Sequence, residues 1–162
     1  MFLKARTEID IFEASATGRL DRINEILDSD PAACKRCSAD GFTALHLAAF
    51  FARPEIARVL IRRGADVAAC SQNPMRVTPL HSAAVSRSGE IVRLLVENGA
   101  PTNLQQQGGW TALHAAADNG DIEMVKTLIE YGADPLIRND QGKSPADLAG
   151  AKGHQAIVAF LE

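Results

Sequence analysis

Apolar residues recur along the chain at the spacing of short amphipathic helices. The clearest runs are residues 56–61, 91–96 and 124–129, where Ile, Leu, Val and Met return every three or four positions. An alanine-rich stretch precedes each run, and a glycine follows it. The pattern predicts helices in pairs, with polar turns between them, near residues 8–16 and 20–28, 44–51 and 54–62, 79–86 and 90–97, 112–118 and 121–130, and 145–151 and 154–161.

One motif returns at nearly constant intervals. Residues 43–49 read Thr-Ala-Leu-His-Leu-Ala-Ala, residues 78–84 and 111–117 are close copies, and a weaker copy begins at Ser144. A glycine follows the threonine of the first three copies at a constant distance. The residues in this shared register are Thr43, His46 and Gly64, then Thr78, His81 and Gly99, then Thr111, His114 and Gly132. A period of about 33 residues indicates stacked supersecondary units.

These residues resemble the ankyrin repeat, whose Thr-Pro-Leu-His motif and Gly-Ala-Asp turn stand here at residues 78–81 and 64–66. The resemblance covers nearly the whole chain. It implies an all-α solenoid of stacked helix-turn-helix pairs with hairpin-like loops. We expect a single domain over residues 1–162, with an N-terminal cap near 5–38, repeats near 39–71, 72–106 and 107–139, and a C-terminal cap near 140–162. Both caps are expected to be polar on the outside.

The motif residues have structural explanations. A hydroxyl at Thr43, Thr78, Thr111 or Ser144 can cap a helix N-terminus. The later glycines suit the left-handed conformation that ends a helix. The three histidines could be read as metal ligands, but neighbouring stacked helices lie about 8–10 Å apart, whereas a metal needs its ligands at about 2 Å. In ankyrin repeats this histidine bridges turns, so the resemblance implies a structural role.

Composition limits the function classes. The chain is 46% hydrophobic and 23% charged, with a net charge of −3, which argues against a dedicated nucleic-acid binder. The charge is uneven: residues 1–93 have 13 Lys+Arg against 11 Asp+Glu, and residues 94–162 have 4 against 9. The charged start predicts no secretory signal, and no apolar run is long enough for a membrane span. Three cysteines fit a reducing compartment. We therefore expect a cytoplasmic, intracellular monomer.

The sequence contains no recognisable set of catalytic residues. The sequence lacks a nucleophile elbow, a phosphate-binding loop and a dinucleotide-binding glycine motif. Cys34-x-x-Cys37 resembles half a zinc ribbon or a redox pair, but no second pair follows, and plain loop thiols are the better interpretation. We expect no catalytic residue, no metal and no cofactor.

Apolar residues cluster where an ankyrin stack presents its concave groove. The residue before each hydroxyl cap is Phe42, Val77 and Trp110 in successive repeats, and the first helix of the second repeat ends at Phe50 and Phe51. Either phenylalanine could instead fill space between repeats, and Trp110 could lie flat on the neighbouring loop. At least one of Phe42 and Trp110 is expected to be substantially exposed. The candidate partner-binding residues are Phe42, Phe50, Phe51, Met75, Arg76, Val77, Val85 and Trp110.

The loop from Gly64 to Thr78 is two residues longer than its counterparts. It predicts an altered hairpin loop, which could serve binding or could be a tolerated surface insertion. The family resemblance implies a non-catalytic module that binds a partner protein through its concave surface, without nucleic acid or membrane. Two alternatives remain open: a regulator or inhibitor of an enzyme such as a kinase, and a structural scaffold.

Overall fold

The computed structural model describes residues 8–162, and five helix pairs follow one another in that range. They are α1 (Ile11–Thr17) with α2 (Leu20–Ser29), α3 (Ala44–Phe50) with α4 (Pro54–Arg62), α5 (Pro79–Val85) with α6 (Gly89–Glu97), α7 (Ala112–Asp118) with α8 (Ile122–Glu130), and α9 (Pro145–Ala151) with α10 (Gln155–Leu161). The predicted all-α stack of helix-turn-helix pairs is confirmed. The first residues of the predicted N-terminal cap, 5–7, lie outside the described range.

The helices form two layers. The first helices of successive pairs, α1, α3, α5, α7 and α9, pack against one another, and the second helices form a parallel row behind them. Alanines at 48–49, 83–84 and 116–117 are wholly buried between the first helices. Their small side chains let these helices approach closely, so a larger residue would overpack the seam. Leu60, Leu95 and Leu128 fill the space between the two layers and are also fully buried.

Hydroxyl residues begin the inner helices. The side chains of Thr43, Thr78, Thr111 and Ser144 each accept a hydrogen bond from the backbone N–H three residues later. The side chain at that third position returns a bond by accepting from the cap's own N–H. This reciprocal arrangement satisfies two donors that the start of a helix leaves unpaired. The predicted N-caps are therefore present in all four helices.

Two local elements differ from the prediction. Helix α1 begins at Ile11 because the Asp10 carboxylate caps it, accepting from the Glu13 N–H at 2.8 Å. A short 3₁₀ helix, Pro31–Lys35, occupies a stretch that was expected to be a loop. Proline at its first position favours helical backbone, and five residues are too few to show a hydrophobic period.

The C-terminal end is less polar than expected. Helix α10 has no charged side chain, and Phe160 is 44% exposed on it. Val158 and Leu161 are partly exposed, whereas their counterparts in α8, Val125 and Leu128, are fully buried under the following pair. The prediction of a polar outer face is therefore wrong for α10. Among the helices of residues 8–162, none is both long and apolar enough to cross a membrane.

Candidate functional site

The loops that enter α3, α5, α7 and α9 lie side by side, and we call them fingers: residues 36–43, 69–78, 104–111 and 137–144. Each finger is closed by a backbone bond near its base, for example from the Ser71 N–H to the Val77 carbonyl at 2.7 Å. Backbone bonds also join neighbouring fingers. They run from Gln72 to Gly41 (2.8 Å), from Gln107 to Met75 (2.8 Å) and from Asp140 to Gly108 (2.9 Å). The fingers therefore form one continuous edge.

Three buried histidines brace this edge. In each, Nδ1 accepts from the N–H of the threonine cap of its own helix, at 3.1–3.2 Å. Nδ1 therefore carries no proton, and Nε2–H donates to the next finger. The acceptors are the carbonyls of Val77 for His46 (2.8 Å), Leu104 and Trp110 for His81 (3.0 and 3.1 Å), and Lys143 for His114 (3.0 Å).

The same histidines are held neutral. His46, His81 and His114 are at most 3% exposed, and burial lowers the pKa of each imidazole below its ordinary value. Both ring nitrogens already have partners, so no lone pair is available for a metal. Over residues 8–162, no group of three or more His, Cys, Asp or Glu is placed to hold a metal ion.

The longer finger is well ordered by one side chain. The Asn73 amide oxygen accepts from the Ser71 hydroxyl (2.9 Å) and from the Met75 N–H (3.0 Å). Its amide nitrogen donates to the Asp40 carbonyl of the preceding finger at 2.8 Å. The two extra residues thus form a compact turn that is joined to its neighbour. Met75, at the tip of this turn, is 50% exposed.

An apolar depression lies between the first and second fingers and the ends of α3 and α5. Two adjoining hollows, of about 170 and 340 Å³, share Phe42, Phe50, Met75 and Ser82 in their walls. We call this surface the finger groove. Its apolar lining consists of Phe42, Leu47, Phe50, Phe51, Met75, Val77 and Val85.

The groove is lined by large side chains that remain in contact with water. Phe50 and Val85 are each 51% exposed, and Phe51 is 47% exposed. The two phenylalanine rings meet edge to face with centroids 5.2 Å apart. Neither ring fills the space between repeats, so of the two alternatives left open by the sequence the structure shows the exposed one.

Three candidate residues are less exposed than predicted. Val77 is only 7% exposed, because its carbonyl binds His46 and its N–H binds the Ser71 hydroxyl, which hold it in the floor of the groove. Trp110 is half-buried, tilted over His114 at 5.9 Å, and lines neither hollow. Phe42 is also half-buried, edge-on to His46 at 5.7 Å. The expectation that Phe42 or Trp110 would be substantially exposed is therefore wrong.

Some features of this surface had no signal in the sequence. Leu47 lines the groove, although its position in α3 looks like an ordinary core position. The contacts of Phe42 with His46 and of Trp110 with His114 also depend on how each finger folds back. The three cysteines are free thiols: Cys34 is buried, Cys37 half-buried and Cys70 exposed.

Comparisons with known proteins agree with this architecture. A family model described as ankyrin repeats in three copies matches residues 11–106, and another, ankyrin repeats in many copies, matches residues 95–149. The probable E3 ubiquitin-protein ligase XBOS31 of Oryza sativa subsp. japonica is 36% identical over 74 residues, which are 45% of this chain and 16% of that protein. The chain thus matches under a fifth of that relative's length. The repeated motif, the stacked helix pairs and the family matches together place the chain in the ankyrin-repeat family.

Proposed function

We propose that the protein is a non-catalytic binding module whose finger groove receives a segment of a partner protein. The observation that carries this proposal is the group of half-exposed apolar side chains on two consecutive repeats: Phe50, Phe51, Met75 and Val85. Contiguous exposed apolar surface is uncommon on soluble monomers and marks interaction sites. Ankyrin repeats typically serve protein–protein interaction.

The size of the groove suits side chains of a protein segment. Each hollow has room for one or two large side chains. Covering the exposed half of one phenylalanine removes roughly 100 Å² from water, which is worth about 2 kcal/mol before the cost of association. Two phenylalanines, a methionine and a valine on one surface therefore provide a cluster of the kind that dominates binding energy at interfaces.

The hydrogen bonding of the three buried histidines also supports a binding role. The three histidines that sequence inspection would first offer as catalytic groups have both nitrogens occupied within the fold. A general base must have a nitrogen within reach of a substrate proton. In the described part of the chain these imidazoles are structural groups, and they leave the groove without an acid–base pair.

Affinity capture with a groove variant tests the proposal. We expect Phe50→Ser together with Phe51→Ser to lose specific partners that the wild-type protein retains, because the variant removes apolar surface and leaves the Thr43 N-cap of α3 intact. Leu136→Ser is the matched control, since Leu136 is 78% exposed and lies outside the groove. Thermal unfolding verifies that both variants are folded, and quantitative mass spectrometry compares the captured proteins.

Equal recovery of every partner by the groove variant and the wild type would contradict the proposal. If a captured partner is an enzyme, its catalytic rate is then measured with and without a saturating concentration of this protein. A changed rate makes the protein a regulator of that enzyme, and an unchanged rate leaves it an adaptor or scaffold.

A further inference from the structure

We propose that the finger groove receives a tyrosine of a partner segment, and that the phenol hydroxyl forms a hydrogen bond with the hydroxyl of Ser82. This inference rests on the proposed function and names the side chain that the groove recognises. Two observations support it: a buried hydroxyl that has no partner within the described fold, and an apolar, almost uncharged lining around that hydroxyl.

The Ser82 hydroxyl is an exception in the pattern of the repeats. Ser82 lies in α5, lines both hollows of the groove and is only 5% exposed. The residues in the same register of α3, α7 and α9 are apolar: Leu47, Ala115 and Leu148. An inner helix therefore forms and packs with an apolar side chain at this position, and the fold has no need of a hydroxyl there.

Hydrogen bonding within the fold leaves this hydroxyl without a partner. Most buried serines and threonines of residues 8–162 bond through the hydroxyl, as Ser15 does with the Ile11 carbonyl at 2.7 Å. Ser82 and Thr102 form no such bond in that range, and of these two only Ser82 lines the groove. The side-chain atom of the described chain that is fully enclosed and unpartnered is the amide nitrogen of Asn139, so the Ser82 hydroxyl can still be reached from the groove. It offers both a donor and an acceptor to an occupant.

The lining around the hydroxyl is nearly free of charge. Of the described residues that form the two hollows, Asp40 alone is charged, and its side chain is exposed at the edge of the larger hollow. Arg76, a binding candidate from the sequence, is exposed on the longer finger and lines neither hollow. A charged side chain inside the hollows would lose its water among apolar walls, so the lining favours an uncharged occupant.

Tyrosine combines the two properties that this surface selects. Its ring fills an apolar space, and the hydroxyl at the end of the ring usually finds a hydrogen-bond partner when it is buried. Phenylalanine, leucine or methionine would cover the Ser82 hydroxyl without bonding it, which costs free energy. The indole of tryptophan can donate but cannot accept. Phe42 and Phe50 line both hollows and are available for edge-to-face contact with the incoming ring.

Displayed peptides that differ at one position test the inference. Five libraries of 13-residue peptides have Tyr, Phe, Trp, Lys or Glu at the centre, and their random flanking positions contain none of these five residues. The full-length protein is the bait, and we expect enrichment from the tyrosine library. A labelled peptide from that pool, its phenylalanine form and its phosphotyrosine form then give dissociation constants by fluorescence anisotropy.

Ser82→Ala is the test variant, because Ala115 shows that alanine fits this register and because the Thr78 cap of α5 is unchanged. The wild-type protein should bind the tyrosine peptide about 3- to 10-fold more tightly than the phenylalanine form, the usual worth of one hydrogen bond. Ser82→Ala should bind the two forms within about twofold of each other. Ser88→Ala is the matched control and should keep the full preference, since Ser88 caps α6 without a side-chain bond and lines neither hollow.

Phosphorylation of the tyrosine gives an independent measurement. The phosphotyrosine form should bind the wild-type protein at least about tenfold more weakly than the tyrosine form, because its negative charge would be desolvated among apolar side chains and next to Asp40. Equal or tighter binding of the phosphotyrosine form would overturn the inference.

The other outcomes separate this inference from the proposed function. Equal enrichment of the phenylalanine and tyrosine libraries, greater enrichment of any other library, or an undiminished preference for tyrosine in Ser82→Ala would overturn the tyrosine. A dimer of the protein alone in sedimentation, lost in Phe50→Ser with Phe51→Ser, would place a second copy in the groove and would also overturn it. If that double variant abolishes peptide binding in any of these cases, the groove remains a binding site. Enrichment of no library would count against both proposals.

Discussion

Acidification between pH 7.5 and 5.5 is expected to destabilise this protein through its three bracing histidines. In the fold, burial lowers the pKa of His46, His81 and His114 below the ordinary value of 6.5. Protonation would place an N–H on Nδ1, where each ring now accepts from the N–H of a threonine cap. Two donors would then face each other in a dry site, and the charge would be desolvated.

The direction follows from proton linkage. Below pH 6.5 the unfolded chain binds protons at these histidines, whereas the folded chain resists binding them. Stability is therefore fully present above the unfolded pKa and is lost as the pH falls below it. A histidine that stays neutral in the fold loses at most about 1.4 kcal/mol between pH 7.5 and 5.5, so three lose at most about 4 kcal/mol. That ceiling is a large fraction of the roughly 5–15 kcal/mol that stabilises a typical domain.

Carboxylates act in a separate window. Hydrogen bonds from Arg19 and from Ser144 lower the pKa of Asp21 and of Asp147 below the ordinary value of 3.8. Their contributions are present above that value and are lost only as the pH falls through a more acidic range. A decline in stability above pH 5 is therefore assigned to the imidazoles.

Urea unfolding at pH 7.5, 6.5 and 5.5, followed by circular dichroism and by the fluorescence of Trp110, measures the loss. Calorimetry in buffers of different ionisation enthalpy counts the protons taken up on unfolding. His114→Asn is the comparison variant, because its amide oxygen can still accept from the Thr111 N–H, as Asp147 accepts from Ser144 in the last repeat. It should be less stable at pH 7.5 and should lose about a third of the pH dependence. Uptake of less than about one proton on unfolding of the wild type at pH 5.5 would refute the reasoning.

Three further predictions test the fingers, the turns and the thiols. Gly41→Ala should destabilise the protein by at least about 1 kcal/mol more than Gly142→Ala, as measured by urea unfolding. Both glycines have positive φ, but only a Cβ at position 41 would lie 2.6 Å from a backbone oxygen of the next finger. Equal losses of stability would refute close packing of the fingers. Ala52→Gly should raise stability by about 0.5 kcal/mol in the same assay, because Ala52 has a φ of 52° and glycine relieves more strain than it adds chain entropy; a clear loss would contradict the strain argument. Cys70 should react with a thiol reagent within the mixing time, whereas Cys34 should react only on unfolding, since the first is exposed and the second buried; equal rates in the folded protein would show that Cys34 is accessible.

Sequence reasoning located nearly all of the helices because each level of the pattern agreed. The hydroxyl cap indicates where a helix begins, the small alanines where helices pack together, and the glycine where a helix ends. Each of these signals recurs in several repeats, which strengthens the prediction. Helix α1 was placed three residues early because the Asp10 cap belongs to the divergent first copy. The 3₁₀ helix at Pro31–Lys35 has no repeat-equivalent helix that would have indicated it.

The candidate groove was predicted less well, since its geometry depends on contacts between elements. The sequence indicates an apolar residue before each cap but not which way the finger carries it. Val77 is drawn into the floor by the His46 bridge, and Trp110 turns onto His114. Phe50 and Phe51 are about half exposed at the end of α3, and no local sequence pattern encodes that exposure.

The histidine bridges divide the solenoid into unequal parts. They join the second repeat to the third, the third to the fourth and the fourth to the fifth, whereas Phe12, whose side chain has no hydrogen-bonding group, holds the corresponding position in the first repeat. The outermost N-terminal pair is thus the section most free to detach. The groove belongs to the repeats that the histidines join, so its surface already has its bound conformation before a partner segment arrives. Most of the conformational entropy lost on binding would therefore be lost by that segment.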